Sequence, residues 1–232
     1  MVWHAFPVSD TSTAQDALKI AIREQLGPAL RSEGYRGSGT TWTRQSPRGD
    51  FAVVNVQSSS FSSRSEVTCV INLAVAPQPW LAWHAVQLGK PVPKSPKEYD
   101  GLWRDRLHAT DEVKSRGGEA WWSVRDDSSA QKAVENMVGG LTMTALPRLS
   151  ELLDREGLIR SVRQGDLGHI KAASARGFFD RALGLLLADD GPSDELALLL
   201  DRFADEPDER LVAYDQKFLP WLTERIQASV GH

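Results

Sequence analysis

Eight residues have side chains that together could build a binding site: Arg44, Gln57, Asn72, Trp103, Arg104, Arg106, Trp121 and Trp122. A guanidinium offers a planar fork of donors that holds a carboxylate or phosphate through two hydrogen bonds, and it stacks on aromatic faces. All eight lie on segments that read as β-strands, so an antiparallel sheet can bring several of them to one face. Alternation along Leu102–Ala109 puts Arg104 and Arg106 on one side and Trp103 and Leu107 on the other. Trp121 and Trp122, being adjacent, point to opposite faces. Each residue also has a plainer reading. Tryptophans pack in cores, amides satisfy strand edges, and arginine stems lie along apolar surface with their heads in water.

Other motifs carry less. Arg36-Gly37-Ser38-Gly39-Thr40-Thr41 superficially resembles a phosphate-cradling loop. Such a loop needs a strand before it and a helix after it, so that amides and helix dipole face the anion. Here the order is helix, loop, strand, and the lysine is missing, which leaves a flexible connection as the simpler reading. Arg48-Gly49-Asp50 reads as a hairpin turn. The five histidines are scattered, and the best local cluster, His108 with Asp111 and Glu112, reads as a solvated strand end. No Gly-x-Ser-x-Gly elbow occurs. Cys69, the only cysteine, falls on the inward face of a strand, excludes an intramolecular disulfide and offers no cysteine-based zinc site. Neither a metal nor a cofactor is implied.

The composition is that of a globular protein: 232 residues, 41% hydrophobic and 25% charged. The net charge of −4 gives no global basic field, which disfavours nucleic acid and an anionic membrane as partners. The charge is unevenly spread. Residues 165–232 carry seven Lys/Arg and thirteen Asp/Glu, leaving residues 1–164 at +2. The apolar runs are too short to span a bilayer. The N-terminus lacks the basic start and apolar stretch of a secretory signal, and eight tryptophans with one cysteine suit a reducing compartment. A cytoplasmic protein is expected.

The elements that must position the candidate residues are legible from periodicity. Leu18, Ile22, Leu26 and Leu30 make one helical stripe, closed by Gly34, with a kink or a break into a second short helix expected at Pro28. Thr40–Arg44, Phe51–Ser58 and Glu66–Ala76 read as an antiparallel meander, with Val67, Cys69, Ile71, Leu73 and Val75 facing the core. Residues 77–100 are Pro-rich and read as a long irregular segment holding one helical turn near Trp80-Leu81-Ala82-Trp83. Leu102–Ala109 and Ala120–Arg125, parted by Gly117-Gly118, read as two neighbouring antiparallel strands. Ala130–Leu141 and Leu146–Gly157 read as helices. Beyond residue 165 the pattern is helical, with breaks at Asp189-Asp190-Gly191-Pro192 and Asp205-Glu206-Pro207-Asp208. The fold class is therefore α+β: an antiparallel sheet of about five strands packed with helices, followed by an all-helical C-terminal extension. Units of 1–160 and 165–232 are expected.

An ordered series of segments also resembles a bacterial family known as domain of unknown function 4304. It comprises Leu30-Arg31-Ser32-Glu33-Gly34-Tyr35-Arg36, Thr41-Trp42-Thr43-Arg44, Val54-Asn55-Val56-Gln57-Ser58, Ile71-Asn72-Leu73-Ala74-Val75, Trp103-Arg104-Asp105-Arg106-Leu107 and Ala120-Trp121-Trp122-Ser123-Val124. The series spans roughly residues 12–155 and departs mildly where that family often has Phe and this chain has Tyr35. The resemblance implies an α+β fold and supplies no activity.

Two functional readings follow. The acidic helical tail beside a compact sheet, without a catalytic constellation, suggests a non-enzymatic protein-interaction module of adaptor or immunity type, with another protein as partner. The alternative is a binding domain for a small anionic or aromatic ligand, possessing or lacking enzymatic activity, on the Arg/Trp face of the sheet.

Overall fold

A computed structural model describes residues 13–109, 120–171, 175–204 and 208–229. The chain enters through Thr13, whose side-chain oxygen accepts the Asp16 N–H and caps α1 (Ala14–Ala21). Helix runs on without a break through a π-turn at Ile22–Leu26 into α2 (Gly27–Ser32). The Gly27 N–H bonds the Ile22 carbonyl, five residues back. Pro28 explains the wide turn: its ring would clash with the carbonyl four residues earlier and it has no N–H to donate. The same device recurs. The Leu146 N–H reaches the Leu141 carbonyl across a π-turn at Leu141–Ala145, one residue before Pro147. That turn joins α4 (Asp127–Gly140) to α5 (Leu146–Leu153), so at Pro28 and at Pro147 alike the helix continues through a π-turn.

The sheet is antiparallel throughout: β1 (Arg36–Ser38), β2 (Thr41–Gln45), β3 (Phe51–Ser58), β4 (Val67–Ala76) and β5 (Trp103–Leu107) follow in order. β1 is a correction to the sequence reading, since Arg36–Thr41 is no flexible connection but the tip of a hairpin pairing Arg36 with Thr43. β6 (Trp122–Val124) is a second correction. It does not lie beside β5 but pairs with Val67–Cys69 of β4, along the same edge where β5 pairs with Ile71–Val75. β5 and β6 thus act as one interrupted strand, closed at the interruption by the Ala109 N–H on the Ala120 carbonyl. The expected turn at Gly117-Gly118, Asp111 and Glu112 of the His108 cluster, and Asp205, Glu206 and Pro207 of the last expected break lie outside the described residues.

Val67, Cys69, Ile71, Leu73 and Val75 point into the main core, together with Leu18, Ile22, Leu26 and Leu30 of the first helix. Helices α1, α4 and α5 cover this face. The other face of β4 is not left to water, because Val70, Ala74 and Ala76 are fully buried. A 3-10 turn at Glu98–Asp100 crosses it, and α3 (Gln78–Leu88) begins directly beyond β4. α3 overturns the reading of 77–100 as irregular. It is apolar on more than one side, burying Trp80, Leu81 and Trp83, and packs against the tail.

After α6 (Arg155–Arg163) comes a small hairpin, β7 (Asp166–Leu167) with β8 (Ile170–Lys171). Then α7 (Arg176–Leu187), α8 (Asp194–Ala204) and α9 (Glu209–Ser229) complete the chain. One apolar cluster runs from Ala14 to Ile226. Trp83 stands at the junction, its ring edge-on to Tyr214 and Phe218 of α9 and its Nε1–H on the Tyr214 hydroxyl. Two buried ion pairs fix the joints: Arg155 on Asp50 at 2.6 Å, and Arg181 of α7 on Asp215 of α9. Arg155 also donates to Asp189 and the Leu186 carbonyl, so its charge is surrounded by acceptors. No helix among the described residues is long and apolar enough to cross a membrane.

Candidate functional site

A polar concavity of about 460 Å³ opens on the sheet face opposite α1, at the β5 edge. Its floor follows from strand register. Cross-strand neighbours share a face, and the partners run Thr41–Asn55–Asn72–Arg106 across four strands. Their side chains form a ladder of hydrogen bonds. Asn55 Nδ2 donates to Thr41 Oγ1 at 2.9 Å, and Asn72 Nδ2 donates to Asn55 Oδ1 at 3.3 Å and to Gln57 Oε1 at 2.7 Å. Arg106 Nε donates to Asn72 Oδ1 at 3.1 Å. Asn72 is buried, and the ladder supplies the partners that such a group needs away from water.

Arg104, two residues before Arg106 and on the same face, is half-buried. Among the described residues its guanidinium has no hydrogen bond or ion pair. Glu98, from the 3-10 turn, and Asp105 of β5 add carboxylates to the lining, and His108 and His169 add imidazoles. The Nδ1 of His108 is buried and has no partner among the described residues.

His169 reaches the site by a backbone contact. Gly168 sits against the outer edge of β5 with φ +80°, and a Cβ there would lie 1.8 Å from the Arg104 carbonyl oxygen. The His169 N–H donates to that same carbonyl at 2.9 Å. Asp166 holds the turn by accepting the Gly168 N–H and the Lys171 ammonium. Burial pushes the Asp166 carboxyl up, yet the Lys171 and Gly168 hydrogen bonds outweigh it and leave the group below its ordinary value.

Of the eight residues singled out from sequence, the structure brings four to this concavity: Gln57, Asn72, Arg104 and Arg106. The other four go elsewhere. Arg44 is on the helix-covered side, donating to Ser150 Oγ at 2.9 Å and to the Glu33 carbonyl, with its guanidinium over the Tyr35 ring. Trp103 and Trp122 are core residues, paired across from Val75 and Cys69. Trp121 is half-buried just before β6 and does not line the concavity. No tryptophan among the described residues therefore lines the site, and its chemistry is that of guanidinium, amide, imidazole and carboxylate.

His108 was legible, because it continues the 104, 106 alternation on its strand. Glu98 and His169 had no such signal, since they arrive through the cross-over turn and the tail. Cys69 is sealed in the core, where burial pushes its thiol up to about 12, far from a nucleophile at neutral pH. Among the described residues no group of three or more His, Cys, Asp or Glu is placed to hold a metal.

Comparison with curated proteins and with solved structures finds no match to this chain. The family comparison does. Residues 26–151, more than half of the sequence and the stretch that contributes all six strands of the main sheet, match the family described as Domain of unknown function (DUF4304), and the chain belongs to that family.

Proposed function

We propose that the chain is a binding module for a small organic anion, taken up on the open face of the sheet between β5 and the Glu98–Asp100 turn. The observation that carries this is Arg104, a half-buried guanidinium that lines the concavity and has no hydrogen bond or ion pair among the described residues. Charge removed from water without a partner is costly, and an incoming carboxylate or phosphate relieves that cost. Arg106 stands beside it, already oriented by Asn72. Glu98 and Asp105 work against a polyanion and accept donors, which favours a carboxylate that also carries a hydroxyl or amino group. At about 460 Å³ the concavity suits a metabolite-sized guest, within the range of about 300–1,000 Å³ typical of ligand sites.

A thermal-shift screen of hydroxy, amino and plain carboxylates and phosphate esters, followed by calorimetry on the best hit, tests the reading. Arg104→Ala should weaken binding about 10- to 100-fold, as expected for a lost charge-assisted hydrogen bond. Arg44→Ala should leave affinity unchanged, because Arg44 is on the opposite face. Equal affinity of wild type, Arg104→Ala and Arg106→Ala would remove the site.

The interaction-module reading stands second, supported by Val86, Leu88 and Val92, apolar side chains exposed at and beyond the end of α3. Its test is a host-lysate capture that loses one defined partner with Val86→Ser and Leu88→Ser.

A further inference from the structure

A second cavity, about 280 Å³, lies between the first helix and the β1–β2 hairpin, at the other side of the sheet from Arg104. Its walls are apolar, built by Leu18, Ile22, Trp42 and Val56. The rim is basic: Lys19, Arg23 and Arg31 line the cavity, and no carboxylate among the described residues does. Lys19 and Arg23 have exposed acidic neighbours in Asp16 and Glu24. Arg31 has none. Among the described residues its guanidinium makes no hydrogen bond or ion pair, and it lies over Gly27, 3.2 Å from where a Cβ would stand. The Trp42 indole, 1% exposed, has a buried Nε1–H with no acceptor among the described residues. The π-turn Ile22–Leu26, forced by Pro28, is the stretch of helix that supplies Ile22 and Arg23 to the cavity, and such turns are frequent at functional sites.

We infer that this cavity is a second binding site, taking a small amphipathic acid whose apolar body fills the space between α1 and β2 while its carboxylate meets Arg31 at the rim. Two independent features select that guest over a neutral or cationic one. Apolar walls reward burial of a hydrocarbon or aryl group, and the charged side chains that line the cavity among the described residues are cations, of which Arg31 has no acidic partner there. The site shares no residue with the Arg104 concavity and does not rest on it.

The test uses the full chain and sodium decanoate below its micelle-forming concentration, with decyltrimethylammonium as the cationic counterpart. NMR reads the indole N–H resonances, with the Trp42 signal identified by its loss in Trp42→Phe. Decanoate should shift the Trp42 resonance saturably and decyltrimethylammonium should not. Arg31→Gln, an exposed substitution that leaves the fold intact, should weaken decanoate about three- to tenfold, the range for a partly solvated charge pair. Val56→Phe, which fills the cavity, should abolish binding. Equal binding of both detergents or an unmoved Trp42 resonance would overturn the assignment.

Discussion

β4 has two faces that follow different rules, though they belong to one backbone. Toward α1 and α5 it presents Val67, Cys69, Ile71, Leu73 and Val75, none more than 5% exposed. Toward the Glu98–Asp100 turn it presents Val70, Asn72 and Ala74, where burial depends on a crossing segment and on hydrogen bonds in sequence across the sheet. The first face is held by non-directional apolar burial, which tolerates small shifts of each neighbour. The second is held by directional bonds, so it is accurate in position and offers exchangeable partners to a ligand. A binding site belongs on the second face for that reason.

Substitutions on neighbouring residues separate the two. Ile71→Ala removes a fully buried branched side chain from the apolar face and should destabilise by about 2–5 kcal/mol, read from denaturant midpoints. A loss below about 0.5 kcal/mol would place Ile71 outside the core. Gly168→Ala acts at the margin of the polar face. Its positive φ and the 1.8 Å approach to the Arg104 carbonyl cannot both survive, so the hairpin must lift from β5 at a cost of about 1–3 kcal/mol. The His169 amide should then lose its hydrogen-exchange protection while that of Ile71 stays intact. Asn72→Ala breaks the ladder, yet Gln57 and Arg106 are exposed and can turn to water. The expected loss is only about 0.5–1.5 kcal/mol, smaller than for Ile71 next door. Asn72→Ala costing more than Ile71→Ala would reverse the comparison.

Acid gives the smallest effect. The Asp166 carboxyl is held below its ordinary value of 3.8 in the folded state, so its contribution is complete above that value and lost as pH falls through the lower folded one. Wild type should shed protection at His169 in that window before the core unfolds, and Asp166→Asn should show no such step. Simultaneous loss of both would mean that the hairpin does not act as a separate clamp.

The sequence by itself determined the helix stripe Leu18–Leu30, the inward set of β4 and the parity of Arg104 and Arg106 against Trp103. Each rests on local periodicity, which sterics and burial impose over a few residues. Pro28 marked a place of irregular helix, and there, as before Pro147, a wide turn absorbed the ring within a continuous helix. Tertiary structure decided the rest. α3 was hidden because Pro77 and Pro79, good residues for a helix start, precede a segment apolar on several sides, which has no stripe to read and is a helix only because Trp83 meets Tyr214 and Phe218. Trp121 and Trp122 left the site because β6 continues the β5 edge along β4 rather than pairing beside β5, a choice of partner that no local pattern encodes. His169 entered it because Gly168 allows the tail to approach the β5 backbone closely, a contact between residues more than sixty positions apart. Alternation fixes which side of a strand a residue occupies; which strands and loops meet over that side is set by long-range packing, where many weak contacts are satisfied at once.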